Sequence, residues 1–215
     1  MQKPKVTVFY HPMILEQLTL ARDKRTNQVA FRKAIYRLGR YMAFEFLRTM
    51  DTQKVEIETP MARTMGRKVR GEDKVVIILV LRAAIPFVEG MYKNLPKART
   101  GVISAWRGKA PKFPIEIRYS KIPEIRKGDV VIIADPMLAT GHTLLEVARL
   151  VTSRGKPKRL AIFSVIATKQ GIEYVARRFP NAEFFTCAVD PKLDEHGYIV
   201  PGLGDAGDRS FGAPQ

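Results

Sequence analysis

From residue 75 onward, five apolar, β-branched runs recur: VVIILVL (75–81), TGVISAW (100–106), VVIIA (130–134), LAIFSVI (160–166) and EFFTCAV (183–189). A strand with one wet face would alternate polar and apolar residues; unbroken apolar runs fit strands buried on both faces. Between the runs lie segments of helical spacing at 85–94, 142–154 and 169–178. Strand alternating with helix predicts an α/β fold with a mostly parallel, twisted sheet flanked by helices on both faces. A long helix over 27–48 is expected ahead of them, starting after Thr26. Phe31, Ile35, Leu38, Met42 and Phe46 fall on one stripe of it, while Arg32, Lys33, Arg37 and Arg40 spread over the remainder.

Three stretches break the alternation. Residues 107–129 carry prolines and the alternating strand IEIRY, which reads as a hairpin projecting between two core strands. The basic stretch RTMGRKVRGEDK (63–74) reads as a solvated loop, and the Gly- and Asp-rich tail 190–215 as irregular. No repeat or linker interrupts the chain, so 1–215 is expected to form one domain. With 215 residues it can bury a sizeable core.

No run of about 18 apolar residues is present, which argues against a membrane span. The N-terminal MQKPKVTVFYHPM lacks the apolar stretch of a signal peptide. The single cysteine, Cys187, rules out an internal disulfide and reads as a buried small hydrophobe. These features together suggest a cytoplasmic protein. His11 and His196 read as surface residues, and Trp106 as packing at its strand end. The net charge of +16 fits either a solvated basic surface or polyanionic ligands, so a site must decide.

The site candidate is VVIIADPMLATGHTLLEV (130–147), a strand followed by a turn of small and hydroxyl residues and then a helix. Exposed backbone N–H groups and the positive end of the helix dipole make such a turn an anion-binding device. Its spacing is not that of a Gly-x-x-x-x-Gly-Lys-Ser/Thr loop. In parallel sheets ligands bind beyond the carboxyl ends of the strands. Asp135, Arg82 and Arg107 each follow one strand there, suiting a ligand with two phosphate clusters.

The motif DPMLATGHT, the segment LRAAIP (81–86) and the tail GYIVPGLGDAGDRSFG (197–212) together resemble the uracil phosphoribosyltransferase family, its archaeal branch above all. The likeness extends over nearly the whole chain, including FRKAIYRLGR at 31–40. It implies the type I phosphoribosyltransferase fold with a C-terminal hood over the base. It also implies transfer of 5-phosphoribosyl 1-diphosphate (PRPP) to uracil, giving UMP and diphosphate in pyrimidine salvage. PRPP would be held by Arg82, Arg107, Asp135, Pro136, Met137, Leu138, Ala139, Thr140, Gly141, His142, Thr143 and Asp205. The 139–143 turn would cradle the 5-phosphate, Asp135 would accept the ribose hydroxyls, and the arginines would bind the diphosphate. Ile199, Gly204, Asp205 and Ala206 would line the uracil site, largely through main-chain groups. Mg²⁺ would arrive on PRPP, because no cluster of metal-ligating residues offers a protein-built cage. GTP activation of a homo-oligomer, dimer or tetramer, is implied too, with Lys33, Arg37, Lys93 and Lys97 at the positions that would hold the nucleotide.

Two departures from the wider phosphoribosyltransferase pattern stand out. Ala134 precedes Asp135 where many relatives carry a second acid, and Ala139 stands where many have an acid before Thr-Gly. The uracil branch shares both absences, which leaves Asp205 as the carboxylate placed to assist uracil as catalytic residue. His142 replaces the glycine usual in that branch, and either donates to phosphate or faces solvent from the first helical turn. A competing reading is an RNA-binding regulator on the same scaffold, with Arg32, Arg37 and Arg40 near Tyr36 and Tyr41 on the long helix. A pure binder would not need the uracil tail, which weighs against nucleic acid as the partner.

Overall fold

The structure is a computed structural model describing residues 3–107 and 115–213, with the side chain of Arg107 outside the described part. The central sheet follows the expected pattern. Its strands are β1 (Lys5–Val8), β4 (Val75–Leu81), β5 (Arg99–Arg107), β6 (Ile115–Lys121), β7 (Val130–Ala134), β9 (Arg159–Thr168) and β10 (Glu183–Asp190), in the order β1-β10-β9-β7-β4-β5-β6. Neighbours run parallel except β6, which pairs antiparallel with β5 at one edge. The two-residue β8 (Met137–Leu138) adds to β9.

Alternation along β4 explains why its sequence shows no polar face. Val75, Ile77 and Leu79 join one hydrophobic cluster with α1 (Pro12–Arg22), α2 (Gln28–Leu47) and α3 (Ala84–Met91). Val76, Ile78 and Val80 join a second cluster with α4 (His142–Ser153) and α5 (Lys169–Arg178) on the opposite face. The stripe on α2 is fully buried at Phe31, Ile35, Leu38, Met42 and Phe46. Asn27 caps this helix, its side chain accepting from the amide of Ala30 at 2.9 Å.

Three sequence expectations are corrected. The projecting hairpin is not 107–129, because Ile115–Lys121 lies in the main sheet as β6; residues 108–114 fall outside the described part. A separate two-stranded hairpin instead pairs β2 (Thr52–Glu58) with β3 (Arg63–Val69), so the stretch read as a loop is largely strand. Its polar composition reflects exposure on both faces, which removes the apolar signal that marks a strand. The tail is regular in part, with β11 (Lys192–Leu193) pairing antiparallel to β12 (Ile199–Val200), followed by α6 (Ala206–Phe211). Such short elements fall below any periodicity window. Cys187 is buried, 3.3 Å from the Met42 sulfur. Trp106 is 55 % exposed and carries the Arg118 guanidinium over its ring instead of packing inward. Among the described residues, no helix is long and apolar enough to cross a membrane.

Candidate active site

The direction of strand addition reverses at β4 and β7: β5 and β6 lie to one side of β4, β9 and β10 beyond β7 on the other. A crevice opens at such a switch point beyond the carboxyl ends of the strands. Arg82 follows β4 and Asp135 follows β7, so both stand on its rim. Below them lies a hollow of about 230 Å³, walled by Asp135, the turn 137–144, Ile115 and Gly197. Met137, Leu138, Ala139, Thr140, Gly141, His142 and Thr143 all line it. Pro136 does not; it is buried beneath, and its carbonyl accepts the amides of Val165 and Ile166 on β9.

The turn is held from behind by α5. Gly141 precedes α4 with φ +86°, and a methyl there would sit 2.7 Å from the Gly171 carbonyl. A methyl on Gly171 would in turn meet the Ala139 carbonyl at 2.2 Å, so two glycines let these backbones touch. Thr168 completes the joint: its hydroxyl donates to the Ala139 carbonyl at 2.7 Å and accepts from the Gly171 amide at 2.9 Å. Fixed this way, the first-turn residues of α4, whose amides have no acceptor within the helix, line the hollow. His142 is exposed; its Nδ1 lies 2.9 Å from the Thr140 hydroxyl and its ring rests on Tyr174, 4.5 Å between centroids. It thus braces Thr140 and does not simply point to solvent.

Asp135 forms part of the wall, its Oδ1 accepting from the Met137 amide at 3.1 Å. Burial pushes its carboxyl up to about 7, and the negative charge of Asp205 adds to the rise, against the pull of the Met137 amide. The tail folds back toward these strand ends: Gly197 lines the hollow with Asp135, and a methyl on Gly207 would lie 3.8 Å from the Arg82 guanidinium. Asp205 caps α6, with Oδ1 accepting from the Asp208 amide at 2.8 Å, which leaves Oδ2 outside the cap. Ile199 and Ala206 are buried beside it and Gly204 is exposed with φ +75°. Arg82 reaches across to this segment, donating to Asp208 Oδ1 at 2.7 Å and to the Gly212 carbonyl at 3.2 Å.

The fastening of the tail was missed in the sequence. Arg22 on α1 forms a two-pronged pair with Asp190 at 2.6 and 2.8 Å and also donates to the Gly202 carbonyl, while Asp190 accepts the Gly202 amide. Arg209 donates to the carbonyls of Ala21, Leu203 and Asp23 and lies 4.1 Å over the Phe31 ring. The contacts that tie the tail to α1 and the residues after it join partners 168 to 188 residues apart, which leaves no local signal. The nucleotide-site candidates are less gathered. Lys33 is exposed on α2, Arg37 turns to Gln17 on α1 at 3.3 Å, and Lys93 follows α3, where Asn94 donates to the Arg40 carbonyl. Lys97 lines a groove with Lys68, Arg70 and Lys74.

Among the described residues, no group of three or more His, Cys, Asp or Glu is placed to hold a metal ion. The AQ2163 protein of Aquifex aeolicus superposes with a TM-score of 0.89 at 32% identity, over 97% of this chain and 98% of that one. An adenine phosphoribosyl transferase from Trypanosoma brucei, at 12% identity and TM-score 0.56, shares the type I phosphoribosyltransferase fold. Uracil phosphoribosyltransferase from Thermococcus gammatolerans is 54% identical over 94% of this chain and 91% of its own length. That from Pyrococcus furiosus is 52% identical over 94% and 88%. With the uracil phosphoribosyltransferase model matching residues 8–213 as well, this protein belongs to the uracil phosphoribosyltransferase family of pentosyltransferases.

Proposed function

We propose that the crevice joins uracil to PRPP in pyrimidine salvage. One observation carries this reading: the braced helix start, the carboxylate Asp135 in the wall of the hollow and the tail bearing Arg82's partners and Asp205 all meet at one switch point. The 5-phosphate rests on the amides of the 139–143 turn and the hydroxyls of Thr140 and Thr143. Asp135, as carboxylate, accepts the ribose hydroxyls and fixes the sugar. Arg82 neutralises the departing diphosphate, a role the family likeness extends to Arg107. Uracil N1 then bonds to the ribose C1 as the C1–oxygen bond to diphosphate breaks, and the N1 proton leaves. Asp205 is the acceptor on the base side, through the oxygen its cap leaves unused. Ile199, Gly204 and Ala206 present main-chain groups to the uracil edge.

The residues fit a substrate-borne Mg²⁺: the carboxylates of Asp135 and Asp205 stand near the proposed sugar position, and among the described residues no group of three or more His, Cys, Asp or Glu is placed to hold a metal ion. When bound, the ion offsets the charge of the leaving diphosphate. Excess chelator is therefore expected to abolish turnover. The family likeness supports GTP as activator of a dimer or tetramer through Lys33, Arg37, Lys93 and Lys97. Titration calorimetry with PRPP and with UMP tests the site itself, because substrate and product share the 5-phosphate. Thr143→Val is expected to weaken both by about tenfold or more, the worth of a hydrogen bond to a charged group. An effect on neither ligand would contradict the assignment of the turn.

A further inference from the structure

Arg82 does not hang free at the rim. Its guanidinium donates to Asp208 at 2.7 Å and to the Gly212 carbonyl at 3.2 Å, with the Phe211 ring 6.0 Å away. The pair is about two-fifths exposed on both sides, 42% for Arg82 and 40% for Asp208, so it contributes little to holding the fold together. Asp208 in turn gives its amide to Asp205 at 2.8 Å. A single turn of α6 therefore links the arginine of the diphosphate side to the carboxylate of the base side.

Resting on the reading of the crevice above, we propose that Asp208 is a positioning residue for Arg82. An arginine carries five N–H donors in a rigid fork. Asp208 and Gly212 take two, which fixes the plane of the fork and leaves three for phosphate oxygens. PRPP then docks on an arginine whose side-chain freedom is already spent. An unanchored Arg82 would be ordered only at the moment of binding, and that cost would appear as weaker substrate affinity. The chemical step, once PRPP is seated, would be unchanged. Asp208 touches neither the sugar nor the base in this role; it acts through Arg82 alone.

The test is a four-member cycle of wild type, Asp208→Asn, Arg82→Lys and the double variant, with melting temperature, PRPP titration and steady-state rates for each. Asn keeps the backbone amide that Asp205 needs and removes only the carboxylate. Asp208→Asn is expected to raise KM for PRPP about threefold to tenfold, the cost of ordering one rotamer-rich side chain. It should leave kcat within about twofold and have no further effect once Arg82 is Lys. An unchanged KM, a fall confined to kcat, or the same loss in the Arg82→Lys background would overturn the proposal. So would a marked drop in melting temperature, which would assign Asp208 to the fold. Failure of the wild type to bind PRPP at all would instead overturn the reading of the crevice on which it rests.

Discussion

At the scale of single residues, Asp135 carries a carboxyl pushed far above its ordinary value. Its carboxyl titrates near 7 in the folded protein against 3.8 ordinarily, because burial disfavours its charge. Between those values the folded state binds a proton that the unfolded chain does not, so this group costs stability as pH rises toward 7 and the full cost persists above it. Asp135→Asn is thus expected to raise the melting temperature at pH 8 and to change it little at pH 4. Function is expected to run the other way, since in the proposed role only the carboxylate accepts both ribose hydroxyls. KM for PRPP should rise as pH falls below about 7 in the wild type. A wild-type KM flat from pH 6 to 8 would contradict the role. Asp135, Arg82 and Asp205 were legible in the sequence because each sits in a motif or just past an apolar run. Arg22, Asp190 and Arg209 were not, since their partners lie far along the chain and a lone arginine in a sequence has no partner to show.

Among elements, the contact of α5 with the turn before α4 decides whether the site keeps its shape. Gly171→Ala would drive a methyl to 2.2 Å from the Ala139 carbonyl. Overpacking of this kind costs about 1–3 kcal/mol, and here the strain falls on the turn proposed to bind phosphate. Gly90→Ala provides the comparison: its methyl would meet the Tyr36 carbonyl at 1.8 Å where α3 crosses α2, away from the turn. Both variants are expected to lower the denaturant midpoint, but only Gly171→Ala should also raise KM for PRPP. Equal effects on KM would show that the turn is not specially braced. The core strands β4, β7, β9 and β10 and helices α2, α4 and α5 were readable because burial on two faces or along one stripe imprints a period. The hairpin of β2 and β3 was not, because strands wet on both faces need no apolar pattern.

For the whole molecule, the charge of +16 remains to be placed. If it serves phosphorylated small molecules, RNA should bind weakly, with the logarithm of affinity falling by about 0.7 per neutralised phosphate against the logarithm of salt. If the braced turn holds PRPP as proposed, its affinity should persist at physiological salt while RNA binding fades. Tight, sequence-selective RNA binding under those conditions would favour the regulator reading instead. The central claim is tested most directly by offering the purified protein PRPP and Mg²⁺ with labelled uracil or labelled cytosine and following UMP, CMP and diphosphate. Uracil should yield UMP and diphosphate in equal amounts. Cytosine, whose edge mismatches the main-chain groups of the tail, should fall behind in kcat/KM by a factor on the order of 10⁴. No UMP from uracil, or equal use of the two bases, would contradict the account.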